Sequence, residues 1–235
     1  MQTFPEDIFT EPEDVDPDTL ANLGPLTRLA GIWQGIKGVD LNPKAEGPER
    51  RQFIERIEMQ PIDPQANGPQ LFYGLRYHVH IVASDEDTSF HDQIGYWLYE
   101  QKTGLVLQSL TIPRGQTALA AGGPEGGDRI VVKAQRGAPG YGICSTDFLE
   151  WAFRTDSYEL DLSFLPDGRW SYVSTTLLEV RGQGPFKHID RNTLTKVGEA
   201  TPNPLQRVTR GEATREAAHG FVQMPGGLSP AVTTA

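Results

Sequence analysis

The sequence predicts an all-β protein, a single antiparallel up-and-down β-barrel of roughly ten strands with a few short helices. Its 25 glycines and 18 prolines exceed what a helical bundle tolerates. Alternation of apolar and polar residues, the period of a half-buried strand, dominates the middle of the chain. About ten such segments are joined by short turns, and closure into a barrel removes the edges of so many strands.

Composition excludes several classes of function. The chain of 235 residues has a net charge of −10, so no global positive field exists to hold nucleic acid or an acidic membrane surface. Its one cysteine, Cys144, excludes an intramolecular disulfide and a multi-thiolate metal centre. The acidic N-terminus is unlike a signal peptide, and no run of about 18 apolar residues is present. We therefore expect a cytoplasmic protein with no membrane partner.

The first elements are not strands. Residues 1–16 alternate prolines with carboxylates and are expected to form an extended acidic arm. From Pro17, leucines at near-helical spacing predict one or two short helices leading into the barrel, and Gly24 ends the first. The barrel domain is expected to span 17–200, and 201–235, which has few core-forming residues, to be a flexible tail.

Two segments carry the clearest strand pattern. Between Leu71 and Ile81 every odd residue is apolar or aromatic, so the odd side chains of a long strand are expected to face inward, Tyr73, Leu75, Tyr77 and Val79 among them. A hairpin is expected between Tyr158 and Leu178, with its turn at Pro166-Asp167-Gly168. Weaker patterns predict strands around 29–36, 53–59, 94–100, 105–112, 117–121, 130–134 and 188–197. The Ser/Thr/Asp start of residues 145–154 predicts a short helix there.

Histidines are the first candidates for chemistry. His78 and His80 project from one face of a strand and His91 begins the next, an arrangement that would suit a metal site. Both residues belong to the polar, outward face, and nothing in the sequence positions supporting carboxylates near them. We therefore interpret them as surface histidines. His188, after a Gly/Pro corner, by itself indicates a partly exposed histidine near a barrel rim.

Three segments follow one another in the order found in nitrobindin-type haem-binding β-barrels, whose architecture is that of lipocalins and fatty-acid-binding proteins. LAGIWQGIKG, with Gly31, Trp33 and Gly35, resembles that family's Gly-x-Trp-x-Gly strand. FHDQIGYWLYE is similar to its His-x-x-x-Gly-Tyr-Trp strand, and KHIDRNTLTKV to its C-terminal strand. Insertions between these segments indicate a divergent, bacterial-looking branch.

The resemblance implies a cofactor and an activity. His188 matches the family's axial haem ligand, and Gly31, Trp33 and Gly35 match its motif strand. The implied cofactor is haem b with iron as the metal, and the implied activities are nitric oxide binding and isomerisation of peroxynitrite to nitrate. No catalytic residue beyond the haem iron is expected, and a homodimer is left open.

Two spacings depart from the family pattern. Gly35 to Gly38, and His188 to Leu194, are each one residue longer. A one-residue slip reverses the face on which a strand side chain lies, so His188 could face away from the cavity. Other functions also stay open. One is a non-catalytic carrier of a fatty acid or other hydrophobic ligand, with Arg154 and Tyr158 as a carboxylate clamp. Another is a cofactor-free enzyme that uses Cys144 as nucleophile.

Overall fold

Ten antiparallel strands close into a barrel in the computed structural model, which describes residues 5–85 and 88–221. Each strand pairs with neighbours around the ring in the order β2-β1-β12-β11-β10-β8-β7-β6-β5-β4, and β4 pairs with β2 to close it. Two short strands, β3 and β9, lie outside this ring and pair with β4 and β7. The predicted all-β barrel of about ten strands is confirmed.

The strands that form the ring are β1 (Gly31–Asn42), β2 (Glu49–Pro61), β4 (Gln70–Ala83), β5 (Ser89–Glu100), β6 (Leu105–Ile112), β7 (Gln116–Pro124), β8 (Arg129–Gln135), β10 (Phe153–Phe164), β11 (Trp170–Val180) and β12 (Gly184–Gly198). The short strands are β3 (Gln65–Asn67) and β9 (Ile143–Ser145). The helices are α1 (Thr19–Asn22), a 3-10 helix (Gly24–Leu29), α2 (Asp147–Ala152), α3 (Pro204–Thr209) and α4 (Arg215–His219).

The N-terminal helices close one end of the barrel. Leu23, Leu26 and Leu29 are completely buried in the apolar core. Arg28 forms an ion pair with Asp128 in the β7–β8 turn, and its guanidinium lies 4.2 Å from the ring centre of Phe164 at the end of β10. The closed end is therefore the one at which β7 turns into β8 and β10 into β11.

A β-bulge in β1 changes which residues face the interior. Gly35 pairs with Glu55 and Gly38 with Phe53, so Ile36 and Lys37 stand opposite the single residue Ile54. Inward positions are odd before the bulge and even after it, which is why Asp40 is buried. The bulge accommodates the longer glycine spacing noted in the sequence.

The segment after the barrel docks on the N-terminal segment. Asn203, 1% exposed, accepts a hydrogen bond from the Thr19 amide at 3.2 Å and donates to the Pro17 carbonyl at 2.9 Å. Its amide also donates to Asp63 at 2.8 Å, and Arg210 forms an ion pair with Asp18 at 2.9 Å. Residues 201–221 thus carry α3 and α4, and Asn203 and Arg210 hold this segment against the start of the domain. Residues 222–235 of the predicted tail and 1–4 of the predicted arm lie outside the described residues.

Among the described residues, no helix is both long and apolar enough to cross a membrane.

Candidate functional site

The barrel encloses a cavity of about 450 Å³ that opens at the end opposite the N-terminal helices. Lys44 after β1, Arg114 in the β6–β7 turn and Leu149 in α2 lie around its opening. Its volume is within the range typical of small-molecule sites. Apolar side chains form most of its wall, namely Ile57, Met59, Val79, Ile81, Phe90, Leu110, Ile112, Phe153, Leu160, Leu162 and Leu178.

Two aspartates and one histidine converge on the wall formed by β1 and β12. Asp40 and Asp190 are directly paired across these strands, and both line the cavity. Like charges opposite each other destabilise a sheet unless a cation lies between them. His188 supplies that cation, since its Nε2 lies 2.8 Å from Asp40 Oδ1 and 3.5 Å from Asp190 Oδ2.

The protonation of this cluster follows from its contacts. Burial alone would lower the pKa of His188, but the carboxylates of Asp190 and Asp40 outweigh it and raise the pKa to about 10. Burial would likewise raise the pKa of Asp40, yet hydrogen bonds from His188 and Asn42 hold it below its ordinary value. His188 is therefore an imidazolium at neutral pH, and its Nε2 donates to Asp40.

His188 faces the cavity despite its altered spacing. His188, Asp190, Asn192 and Leu194 alternate with exposed or outward residues along β12, and β12 pairs with β11 without a register shift. Because His188 and Leu194 are an even number of residues apart, both lie on the inner face. The sequence left open that His188 could face outward, and in the structure it does not.

His91 is a second imidazole in the cavity wall. It lies near the start of β5, and its Nε2 is 3.4 Å from Gln93 Oε1. Burial is the main cause that lowers the pKa of His91, so its ring is neutral at pH 7. A neutral imidazole can ligate a metal or accept a hydrogen bond.

A buried carboxyl group lies deeper in the wall. Glu55 on β2 is 5% exposed and accepts hydrogen bonds from the Tyr172 hydroxyl and the Asn192 amide, each at 3.0 Å. Burial raises the pKa of Glu55 to about 7, although these two hydrogen bonds oppose the rise. The cavity wall thus holds a carboxyl group that exchanges a proton near neutral pH.

Neutral polar groups complete the wall. Tyr158 donates to Gln108 Oε1 at 2.8 Å, and the Tyr77 hydroxyl accepts from Gln93 at 2.7 Å. Burial raises the pKa of both tyrosines above the ordinary value, so both stay protonated. These groups can orient a ligand but carry no charge.

The motif residues of β1, Gly31, Trp33 and Gly35, are not among the described residues that line the cavity. Trp33 is 2% exposed, donates from Nε1 to the Leu29 carbonyl at 2.8 Å and packs edge-on against Trp170. A Cβ at Gly35 would lie 2.3 Å from the Asn192 amide nitrogen. At Gly31 the positive φ of 132° disfavours any other residue, and a Cβ would approach the Gly198 carbonyl. Trp33 therefore packs at the closed end of the barrel, and Gly35 leaves room for Asn192, which donates a hydrogen bond to Glu55.

The other candidates are dispersed. Cys144 is exposed in β9, outside the cavity lining. Tyr158 lines the cavity, whereas Arg154 is exposed and forms an ion pair with Asp156 at 2.7 Å. A register shift between Thr155 and Ser157 separates their faces, so the proposed clamp for a carrier does not assemble.

Sequence reasoning missed Asp40, Asp190 and Glu55. A signal for Glu55 was available, since it shares the inward parity of Phe53 and Ile57. Asp40 gave no such signal because the bulge at Ile36–Lys37 resets the alternation before it.

Comparison with known proteins gives a family match and a similar solved structure. The model of a family described as "THAP4-like, heme-binding beta-barrel domain" matches residues 22–196. The crystal structure of Rv2717c from M. tuberculosis is similar, with 21% sequence identity and a TM-score of 0.49 over 78% of this chain and 99% of that one. A search of curated proteins gave no match. The family match spans the barrel except for the last two residues of β12 and supports a haem cofactor, and the chain belongs to the family of THAP4-like haem-binding β-barrel domains.

Proposed function

We propose that the cavity binds haem b with His188 as axial ligand, and that the protein handles reactive nitrogen species by binding nitric oxide and isomerising peroxynitrite to nitrate. The observation that supports this most is the pair of imidazoles, His188 and His91, in the wall of an apolar cavity in a haem-binding family. Bound haem would supply an iron with an open position for a diatomic or an oxyanion. A cytoplasmic location is part of the proposal and is supported by the single, unpaired Cys144.

The lining offers haem both apolar surface and positive charge. Aliphatic side chains such as Ile81, Leu110 and Leu160 exclude water from a flat apolar ligand. Lys44, Arg51 and Arg114 bring positive charge to the lining, which favours a ligand that carries carboxylates. The apolar and cationic lining residues therefore fit a haem, while the wall also carries Asp40, Glu55 and Asp190, and His188 is engaged in a hydrogen bond with Asp40.

His188 must exchange one partner for another to act as an axial ligand. Its Nε2 now donates to Asp40, and a nitrogen that ligates iron carries no proton. Asp40 therefore competes with the iron for His188, and removing this carboxylate is expected to strengthen haem binding. His91 is neutral and needs no such exchange, which makes it the natural comparison.

The test is a titration of the haem-free full chain with hemin, followed at the Soret band. We expect saturable binding in the wild type, a shifted spectrum and weaker binding in His188→Ala, and tighter binding in Asp40→Ala. His91→Ala should keep the ligand-dependent spectrum. An unchanged spectrum in His188→Ala, or a spectrum lost only in His91→Ala, would overturn the assignment of His188.

The activity needs its own measurement. The haem complex should accelerate peroxynitrite decay beyond the same concentration of free hemin and yield nitrate. A complex no faster than free hemin would exclude the isomerase activity while leaving haem binding intact.

A further inference from the structure

The outer face of the barrel carries a cluster of metal-ligating side chains that is separate from the cavity. His78 and His80 alternate along β4 with Tyr77, Val79 and Ile81, which face inward and line the cavity. Both imidazoles are 48% exposed, on the opposite side of the same strand. A ligand bound there would touch solvent and not the cavity.

The pairing of β4 with β5 brings a carboxylate to these histidines. His80 pairs directly with Asp92, and Asp92 Oδ2 lies 2.9 Å from His78 Nε2 and 3.3 Å from His80 Nδ1. The three candidate ligand atoms all lie within 4.8 Å of one another. A carboxylate at these histidines was not expected, because the strand register is what places Asp92 between them.

The donor set selects a class of ion. Two imidazoles and one carboxylate suit borderline divalent transition metals such as Zn²⁺, Ni²⁺ and Cu²⁺, whereas Mg²⁺ and Ca²⁺ prefer all-oxygen sites. The partial exposure of all three side chains lets water complete the coordination sphere. On β2, Glu58 lies opposite His78 and Arg56 lies opposite His80. Arg56 and Glu58 form an ion pair with each other at 3.1 Å. The positive charge of Arg56 beside the cluster is therefore balanced by Glu58.

The backbone prepares this geometry in advance. All three residues lie within the continuous pairing of β4 and β5 from Tyr73–Tyr99 to Ile81–His91, with no register shift between His78 and His80. Side chains two apart on one strand, together with a cross-strand partner, keep their relative positions without loop ordering. We propose that His78, His80 and Asp92 form a binding site for a divalent transition metal ion on the outer wall of the barrel.

The experiment is a calorimetric titration of the untagged, haem-free full chain with Ni²⁺. We expect one saturable site in the wild type and affinity at least tenfold lower in His78→Ala, His80→Ala and Asp92→Asn. Loss of a direct ligand should cost no less than the ten- to hundredfold that loss of a supporting hydrogen bond costs. Circular dichroism checks that each variant keeps its fold.

Two controls separate this site from others. His219→Ala removes a histidine of the C-terminal segment that lies near Asp63, and this variant should bind Ni²⁺ like the wild type. Asp190→Asn alters the inner Asp40–His188–Asp190 cluster and should also leave Ni²⁺ binding unchanged. No saturable binding in the wild type, or binding lost in Asp190→Asn but kept in His80→Ala, would overturn the proposal. The readout is independent of haem, so the two proposals can fail separately.

Discussion

Asp40 and His188 lie 2.8 Å apart in the cavity wall, although 148 residues separate them in the chain. The contact depends on the pairing of β1 with β12 and on the bulge that turns Asp40 inward. It compensates the repulsion between Asp40 and Asp190, so it should contribute to the stability of the fold.

Asp40→Asn should destabilise the haem-free protein by roughly 1.5–3 kcal/mol at pH 6, the range for a hydrogen bond to a charged group. Because the folded pKa of His188 is about 10 and its ordinary value 6.5, this stabilisation is complete below pH 6.5 and is lost as the pH rises towards 10. Urea unfolding between pH 6 and 10 should show a smaller decline in the variant. The exposed contacts of Asp92 with His78 and His80 serve as a control, since Asp92→Asn should change the free energy of unfolding by less than about 1 kcal/mol. If the free energy of unfolding declined equally in Asp40→Asn and the wild type, the Asp40–His188 contact would not be the source of this pH dependence.

Glu55→Gln should flatten the pH dependence of stability between pH 4.5 and 7. The pKa of Glu55 rises from 4.5 to about 7 on folding, so the folded state holds a proton that the unfolded state has lost, and stability falls as the pH rises through this window. The full effect is on the order of 3 kcal/mol. Free energies of unfolding at pH 4.5, 6 and 8 measure it. Glu58→Gln, on the outer face of the same strand, should keep the wild-type slope.

Gly35→Ala should destabilise the barrel by roughly 1–3 kcal/mol, because the new methyl group would displace Asn192 from Glu55. Loss of the Asn192 hydrogen bond, which lowers the pKa of Glu55, should raise that pKa further. Chemical denaturation and an NMR titration of the Glu55 carboxyl test both effects. Gly127→Ala enters open space at an ordinary φ and should have little effect. If the two variants were equally stable, the close approach at Gly35 would not matter.

Asn203→Ala should lower stability by roughly 1–3 kcal/mol, because a side chain that is 1% exposed loses its hydrogen bonds with the Thr19 amide, the Pro17 carbonyl and Asp63. Thermal unfolding measures the change. Gln65→Ala removes an exposed amide that donates to the neighbouring Asp63 and Pro64 carbonyls, and it should be neutral. An equally neutral Asn203→Ala would show that the C-terminal helices are not coupled to the domain.

Local patterns predicted most of the fold. The odd-numbered face of 71–81 is buried in β4, and Pro166-Asp167-Gly168 forms the turn between β10 and β11, as expected from alternation and turn chemistry. The helix expected over 145–154 forms as α2 at Asp147–Ala152. Strands β3 and β9 were missed because three residues are too few to show a period.

The candidate site was less predictable because its contacts are long-range. The sequence singled out His188, but its partner Asp40 lies 148 positions away, and the partners of Glu55 lie 117 and 137 positions away. Bulges add to the difficulty, since those in β1 and β10 reverse the parity from which inward positions are inferred. Alternation along a strand therefore predicts which side chains face the cavity. The pairing register between strands decides which of the polar ones meet.

The pairing of β1 with β12 also sets the order in which the protein can form. One edge of β1 has its backbone hydrogen-bonding groups paired by β12, the last strand of the ring. A chain emerging from the ribosome therefore carries an open sheet until residue 198 is available. The Asp40–Asp190 pair and its His188 counter-charge assemble only at that moment. The complete cavity is thus a late product of synthesis, and a nascent chain that stops before β12 lacks His188, Asp190 and the part of the wall that carries them.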